Sequence, residues 1–93
     1  MPRFIIQCWD KPESLELRAA TRPAHLEYVN SGAVGLVAVG PMLTEEGQPF
    51  GSLLIIEAED RAAAERFAAN DPYALAGLFE RVEIIGWRQV FPA

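Results

Sequence analysis

Three short runs of this 93-residue chain are apolar without alternation: Phe4-Ile5-Ile6, Leu53-Leu54-Ile55-Ile56 and Ile84-Ile85. A strand with one face in water alternates apolar and polar residues, whereas large apolar groups at successive positions point to both sides of a sheet. Strands of this kind need cover on both faces. The stretches between them supply only two segments of helical character, and right-handed crossovers place both on the same face. The other face must be buried by something else, and a second copy of the chain is the economical answer, sheet against sheet in a symmetric homodimer. Size points the same way, because a chain this short buries only about 60–65% of its unfolded surface and has a thin core of its own.

Phe4 to Trp9 reads as the first strand, ended by Asp10-Lys11-Pro12. Ser14 to Ser31 is helical, with Leu15, Ala19, Arg22, Leu26 and Val29 at helical spacing and Gly32 just beyond. Pro23 lacks the N–H that would bond the Ala19 carbonyl, so a kink or two short helices are expected, the second capped by Thr21 or Arg22. Ala33 to Val39 is a second strand closed by Gly40-Pro41, residues 44–49 form a loop, and Phe50 to Ala58 is a third strand. Asp60 is a good N-cap for a helix running to about Asn70, with Ala63, Ala64, Phe67 and Ala68 on its buried side. Asp71-Pro72 caps a short turn, and Val82 to Phe91 is the last strand. The order β-α-β-β-α-β predicts an α+β, ferredoxin-like fold with a four-stranded antiparallel sheet, in a single domain over residues 1–93.

Charge and composition remove several classes of function. Eight Lys and Arg against 13 Asp and Glu give a formal charge of −5, which disfavours nucleic acid and anionic membrane as partners. Cys8 is the sole cysteine and lies in an apolar run, so no internal disulfide or thiolate metal site is available and its expected role is packing. No metal-ligand spacing, phosphate-binding glycine loop or nucleophile elbow is present. The apolar run after Met1 is too short for a signal peptide or a membrane span. A soluble, cytoplasmic protein without metal or cofactor is expected.

His25 is the only histidine, and imidazole is the one side chain that ordinarily titrates near neutrality. On a regular helix Arg18, Arg22 and His25 fall at i, i+4 and i+7, a cationic stripe ending in an imidazole. A guanidinium can clamp a substrate carboxylate while a histidine moves a proton. Each arginine also has an ordinary reading, a surface ion pair with Glu16 or Glu27. Asp71 before Pro72 is by itself a helix N-cap, and its functional reading is to orient His25 and favour the imidazolium. Ser52, at the start of an apolar strand, can offer a hydroxyl to a ligand. Tyr28 and Tyr73 are candidates to line a pocket, and Trp9 and Trp87 to pack in the core or a dimer.

The segment Arg22-Pro23-Ala24-His25-Leu26, the Gly40-Pro41 and Gly51-Ser52 pairs, Asp71-Pro72-Tyr73, and Ala76-Gly77-Leu78-Phe79 leading to Val82-Glu83-Ile84 and Trp87 together resemble the YciI-like (YCII-related) family. The resemblance covers almost the whole chain. It implies a dimeric α+β barrel, and a pocket centred on a histidine and an aspartate, roles that fall on His25 and Asp71. The leading expectation is a cofactor-independent lyase or isomerase acting on a small carboxylated or oxygenated metabolite, with substrate contacts from Arg22, Arg18, Ser52 and Tyr73. The alternatives are a non-catalytic, dimeric ligand-binding or regulatory module and, less favoured, a haem-using relative with His25 as axial ligand.

Overall fold

A computed structural model describes residues 1–92; Ala93 lies outside the described residues. The elements are β1 (Arg3–Asp10), α1 (Leu15–Val29), β2 (Gly35–Leu43), β3 (Pro49–Glu57), α2 (Arg61–Ala69), α3 (Pro72–Leu75) and β4 (Phe79–Trp87). The strands form one antiparallel sheet in the order β2-β3-β1-β4. This is the expected α+β, ferredoxin-like arrangement.

Strand alternation divides the sheet into two faces. One carries Phe4, Ile6, Cys8, Ser52, Leu54 and Ile56, all buried, and packs against Val29 of α1 and Ala64 and Phe67 of α2. Tyr28 ties the two helices together: its hydroxyl donates to the Phe67 carbonyl at 2.8 Å, and its ring stacks on that of Phe67 at 4.8 Å. Tyr28 is therefore a packing residue and does not line the cavity described below. The other face bears no helix. Its centre is the paired row Ile55, Ile5 and Ile85, with Leu53 beside it, and the ion pairs Arg3–Glu57 and Arg81–Glu83 lie on the same face. Leu53 and Ile85 are 36% and 46% exposed, an unusual position for such residues in the middle of a sheet. Trp9, with Arg81 stacked on its ring, and Trp87 lie on this face too.

Several boundaries differ from expectation, for physical reasons. α1 runs through Pro23 as one helix rather than two, with no second cap at Thr21 or Arg22, at the loss of a single backbone bond. β2 continues through Gly40-Pro41 to Leu43; it is the edge strand, where a missing N–H is tolerated. β4 begins at Phe79 and ends at Trp87, since α3 closes early in a Schellman motif. Gly77, at φ +77°, allows its own N–H to reach the Ala74 carbonyl and that of Leu78 to reach Tyr73. Asp60 caps α2 as expected, accepting from the Ala63 N–H at 2.8 Å.

Candidate active site

α1 supplies Arg18, Arg22 and His25. Asp10 from the end of β1, Ser52 from the start of β3, and Asp71 and Tyr73 from the N-terminus of α3 meet two of them. The helix side that carries Leu15, Ala19, Arg22 and Leu26 borders a cavity of about 250 Å³, with Leu15 and Leu26 exposed and Arg18 and His25 buried.

His25 is 4% exposed, and its Nδ1 lies 3.0 Å from each Asp71 carboxylate oxygen. Asp71 Oδ1 also accepts the Tyr73 N–H at 2.9 Å, so the aspartate is both the expected helix cap and the histidine's partner. An ionised carboxylate only accepts, so Nδ1 must carry a proton, and in the neutral ring Nε2 is then the acceptor; the tautomer is inferred from this contact. Among the described residues no sealed side-chain polar atom lacks a hydrogen-bond partner. Nε2 has none, so it is not sealed, and His25 lines the cavity.

Tyr73 stacks on His25 with centroids 4.1 Å apart, while the Arg18 guanidinium carbon lies 4.6 Å over the same ring. The phenol ring thus contacts both groups, which lie seven residues apart along α1. Burial pushes the Tyr73 hydroxyl above its ordinary pKa, partly opposed by Arg18 and Arg22.

The Arg18 end is a second buried cluster. Arg18 Nε and Nη2 donate to the two Asp10 carboxylate oxygens at 2.7 and 2.9 Å, and Nη2 also donates to Ser52 Oγ at 2.8 Å. Burial works against the guanidinium charge, but the Asp10 contact outweighs it and raises the pKa further. Gly51 makes the approach possible, because a Cβ there would strike the Cys8 carbonyl and the Met42 methyl. Cys8 lies under Ser52, where burial first and the Asp71 charge second push its thiol up to about 12, leaving it without thiolate character.

Four of the expected residues, His25, Arg18, Ser52 and Tyr73, line one cavity, with Asp71 behind His25. Arg22 also lines it, exposed and without an ion pair among the described residues. Asp10 was missed. It reads as a strand terminator, and the available signal was the need of a buried arginine for a carboxylate within reach. A larger groove of about 790 Å³ at the other end of the sheet, beside Arg3, Trp87 and Arg88, offers no acid–base pair. Among the described residues there is no cluster of three or more potential metal ligands, and no helix is long and apolar enough to cross a membrane.

Comparison with known proteins agrees with this fold. Protein YciI of Escherichia coli O6:H1 is 35% identical over 96 residues, covering 95% of this chain and 98% of its own length. An uncharacterized protein of Haemophilus influenzae is 31% identical over 100 residues, with the same coverage of both chains. Among solved structures, 5-chloro-2-hydroxyhydroquinone dehydrochlorinase from Burkholderia phenoliruptrix AC1100, in complex with 2,5-dihydroxybenzoquinone, superposes with a TM-score of 0.85 at 34% identity and covers 94% of each chain. An antibiotic biosynthesis monooxygenase, at 18% identity and a TM-score of 0.59, shares the fold alone. The family model described as YCII-related domain matches residues 2–88, and the chain belongs to that YciI-like family.

Proposed function

We propose that this protein is a cofactor-independent enzyme that moves a proton on a small carboxylated or oxygenated metabolite, in lyase or isomerase chemistry. The observation that carries this reading is His25: Nδ1 is committed to Asp71, and Nε2 is free at the cavity. Nε2 takes a proton from substrate carbon, and the imidazolium so formed sits between the Asp71 carboxylate and the Tyr73 π face, both of which favour positive charge. The same proton then returns to a neighbouring atom, for isomerisation, or stays on the imidazole and passes to solvent while a leaving group departs with its bonding electron pair, for elimination. Arg22 meets a substrate anion. The cavity is smaller than the roughly 300–1,000 Å³ of drug-sized sites, which suits a single ring or short chain. The dehydrochlorinase, an enzyme named for elimination from a hydroxylated ring, supports the same class of reaction.

The bare apolar face supports a homodimer formed through the sheets, with Ile5, Ile55, Ile85 and Leu53 at its centre and the ion pairs outside them. The free, buried Cys8 suits a reducing, cytoplasmic setting, and the match over residues 2–88 supports one domain over 1–93.

The test is exchange in deuterium oxide. Enolisable diones, lactones and hydroxyhydroquinones are incubated with the protein, and deuterium incorporation at carbon is followed by NMR. Wild type is expected to catalyse exchange or turnover with at least one class, and His25→Ala to lower it by about a hundredfold or more. Saturable binding with no exchange and no turnover in any class would make this a ligand-binding module instead.

A further inference from the structure

Hydrogen-bond accounting at the Arg18 end assigns a role to a part of the cavity that the proton-transfer reading leaves idle. Ser52 Oγ accepts from Arg18 Nη2 at 2.8 Å. A guanidinium accepts nothing, so the hydroxyl proton of Ser52 must be given elsewhere, and no acceptor for it exists among the described residues. Arg18 is in the same state. Nε and Nη2 are spent on Asp10 and Ser52, whereas Nη1 makes no close hydrogen bond and, by the absence of sealed unpaired atoms, is not closed off; the Tyr73 hydroxyl lies within reach of the same guanidinium. Both residues line the cavity. One end of the chamber therefore presents the Arg18 and Ser52 donors, and the other presents the acceptor Nε2 of His25, with the Tyr73 ring in contact with both groups.

Resting on the proton-transfer reading above, we propose that Arg18 Nη1 and Ser52 Oγ form a two-donor site for the carbonyl oxygen of an enolisable substrate, with Asp10 as the positioning residue that fixes the guanidinium. The step balances. A C–H bond next to the carbonyl breaks as its proton goes to His25 Nε2, the electron pair of that bond forms a C=C, and the carbonyl π pair moves onto oxygen. The oxyanion develops against the two donors, which are already in place and need no reorganisation. Asp10 matters because a single neutralising carboxylate, gripping Nε and Nη2 together, leaves the rest of the fork aimed at Ser52 and the cavity. Arg22 stays free for a second anionic group. The substrate class is thus an enolisable cyclic carbonyl compound, such as a cyclic dione or the keto tautomer of a hydroxyhydroquinone, carrying one further negative oxygen; a hydroxyquinone anion resembles the enolate it forms.

The probe is 2,5-dihydroxybenzoquinone, whose ionisation is visible in its absorbance. Wild type is expected to bind it and to lower its apparent pKa relative to the free compound. Ser52→Ala should weaken binding about tenfold or more and return the bound probe toward its free titration, while Ser52→Cys, which keeps a weak donor, recovers part of the effect. Asp10→Asn should raise the probe's apparent pKa in the same direction, and thermal melts confirm that each variant is folded. His25→Ala keeps both binding and the lowered probe pKa, but loses exchange. If folded Ser52→Ala and Asp10→Asn bind and titrate the probe as wild type does, or if wild type fails to bind it at millimolar concentration, the two-donor site is wrong; loss of exchange in His25→Ala would leave the acid–base reading standing on its own.

Discussion

Replacing Asp71 separates its two structural duties. Its Oδ1 caps α3 through the Tyr73 N–H, and its carboxylate holds His25 Nδ1. Asp71→Ala removes both. The lost cap costs about 1 kcal/mol, and the His25 Nδ1–H left buried without a partner costs about 1–3 kcal/mol more. Together these should lower the melting temperature by on the order of 10–20 °C for a chain of this size. Asp71→Asn behaves differently. Its remaining oxygen still caps Tyr73, so stability falls by only about 1 kcal/mol, but its NH₂ can face Nδ1, move the imidazole proton to Nε2 and leave no base at the cavity. Turnover should drop on the order of a hundredfold, and the double variant with His25→Ala should be little worse than His25→Ala alone, because the aspartate acts through the imidazole. The assays are deuterium exchange and calorimetric melting on the same samples. If Asp71→Asn keeps full turnover and an unchanged pH profile, while Asp71→Ala only melts earlier, Asp71 is a helix cap and the pairing with His25 has no part in chemistry.

Two further outcomes follow from the packing. Cys8 titrates near 9.0 in the unfolded chain and at about 12 when folded. The unfolded state therefore binds fewer protons across that interval, and stability is full below pH 9 and declines as pH rises toward 12; Cys8→Ala should flatten this alkaline decline in pH-dependent melts, leave turnover intact, and abolish slow iodoacetamide labelling. Light scattering should give a dimer mass at micromolar concentration, and Leu53→Glu, which places a charge in the middle of the bare face, should yield a folded monomer; a monomeric wild type would refute the sheet-to-sheet association.

The course of the chain was legible because its strands are too apolar for any one-sided sheet and because Asp60 and Asp71-Pro72 punctuate the helices in the usual way. Its exact limits were not. Whether Pro41 ends a strand depends on its being at the sheet edge, and whether Pro23 breaks a helix depends on what holds its two halves, neither of which is local information. Residue chemistry and the family resemblance singled out His25 and Asp71 without showing that they meet, and the structure brings the two into contact. Asp10 was out of reach for the opposite reason. A carboxylate before Lys11-Pro12 looks like a solvated strand end, and only the irregular β1–β4 pairing at Trp9 and Asp10, together with the inward course of Arg18, turns it into a buried partner.

The four-residue length of α3 sets where this molecule is weakest. Asp71 and Tyr73, the two groups that hold the His25 ring, both sit on this single turn, which is fastened to its surroundings by the Schellman closure, the buried Leu78 and one backbone bond from Lys11 to Leu78. Fraying of so small a unit needs far less free energy than global unfolding. It would release the imidazole while leaving Asp10, Arg18 and Ser52 locked between sheet and long helix. On the proton-transfer reading, warming should thus silence deuterium exchange before it dissolves the fold.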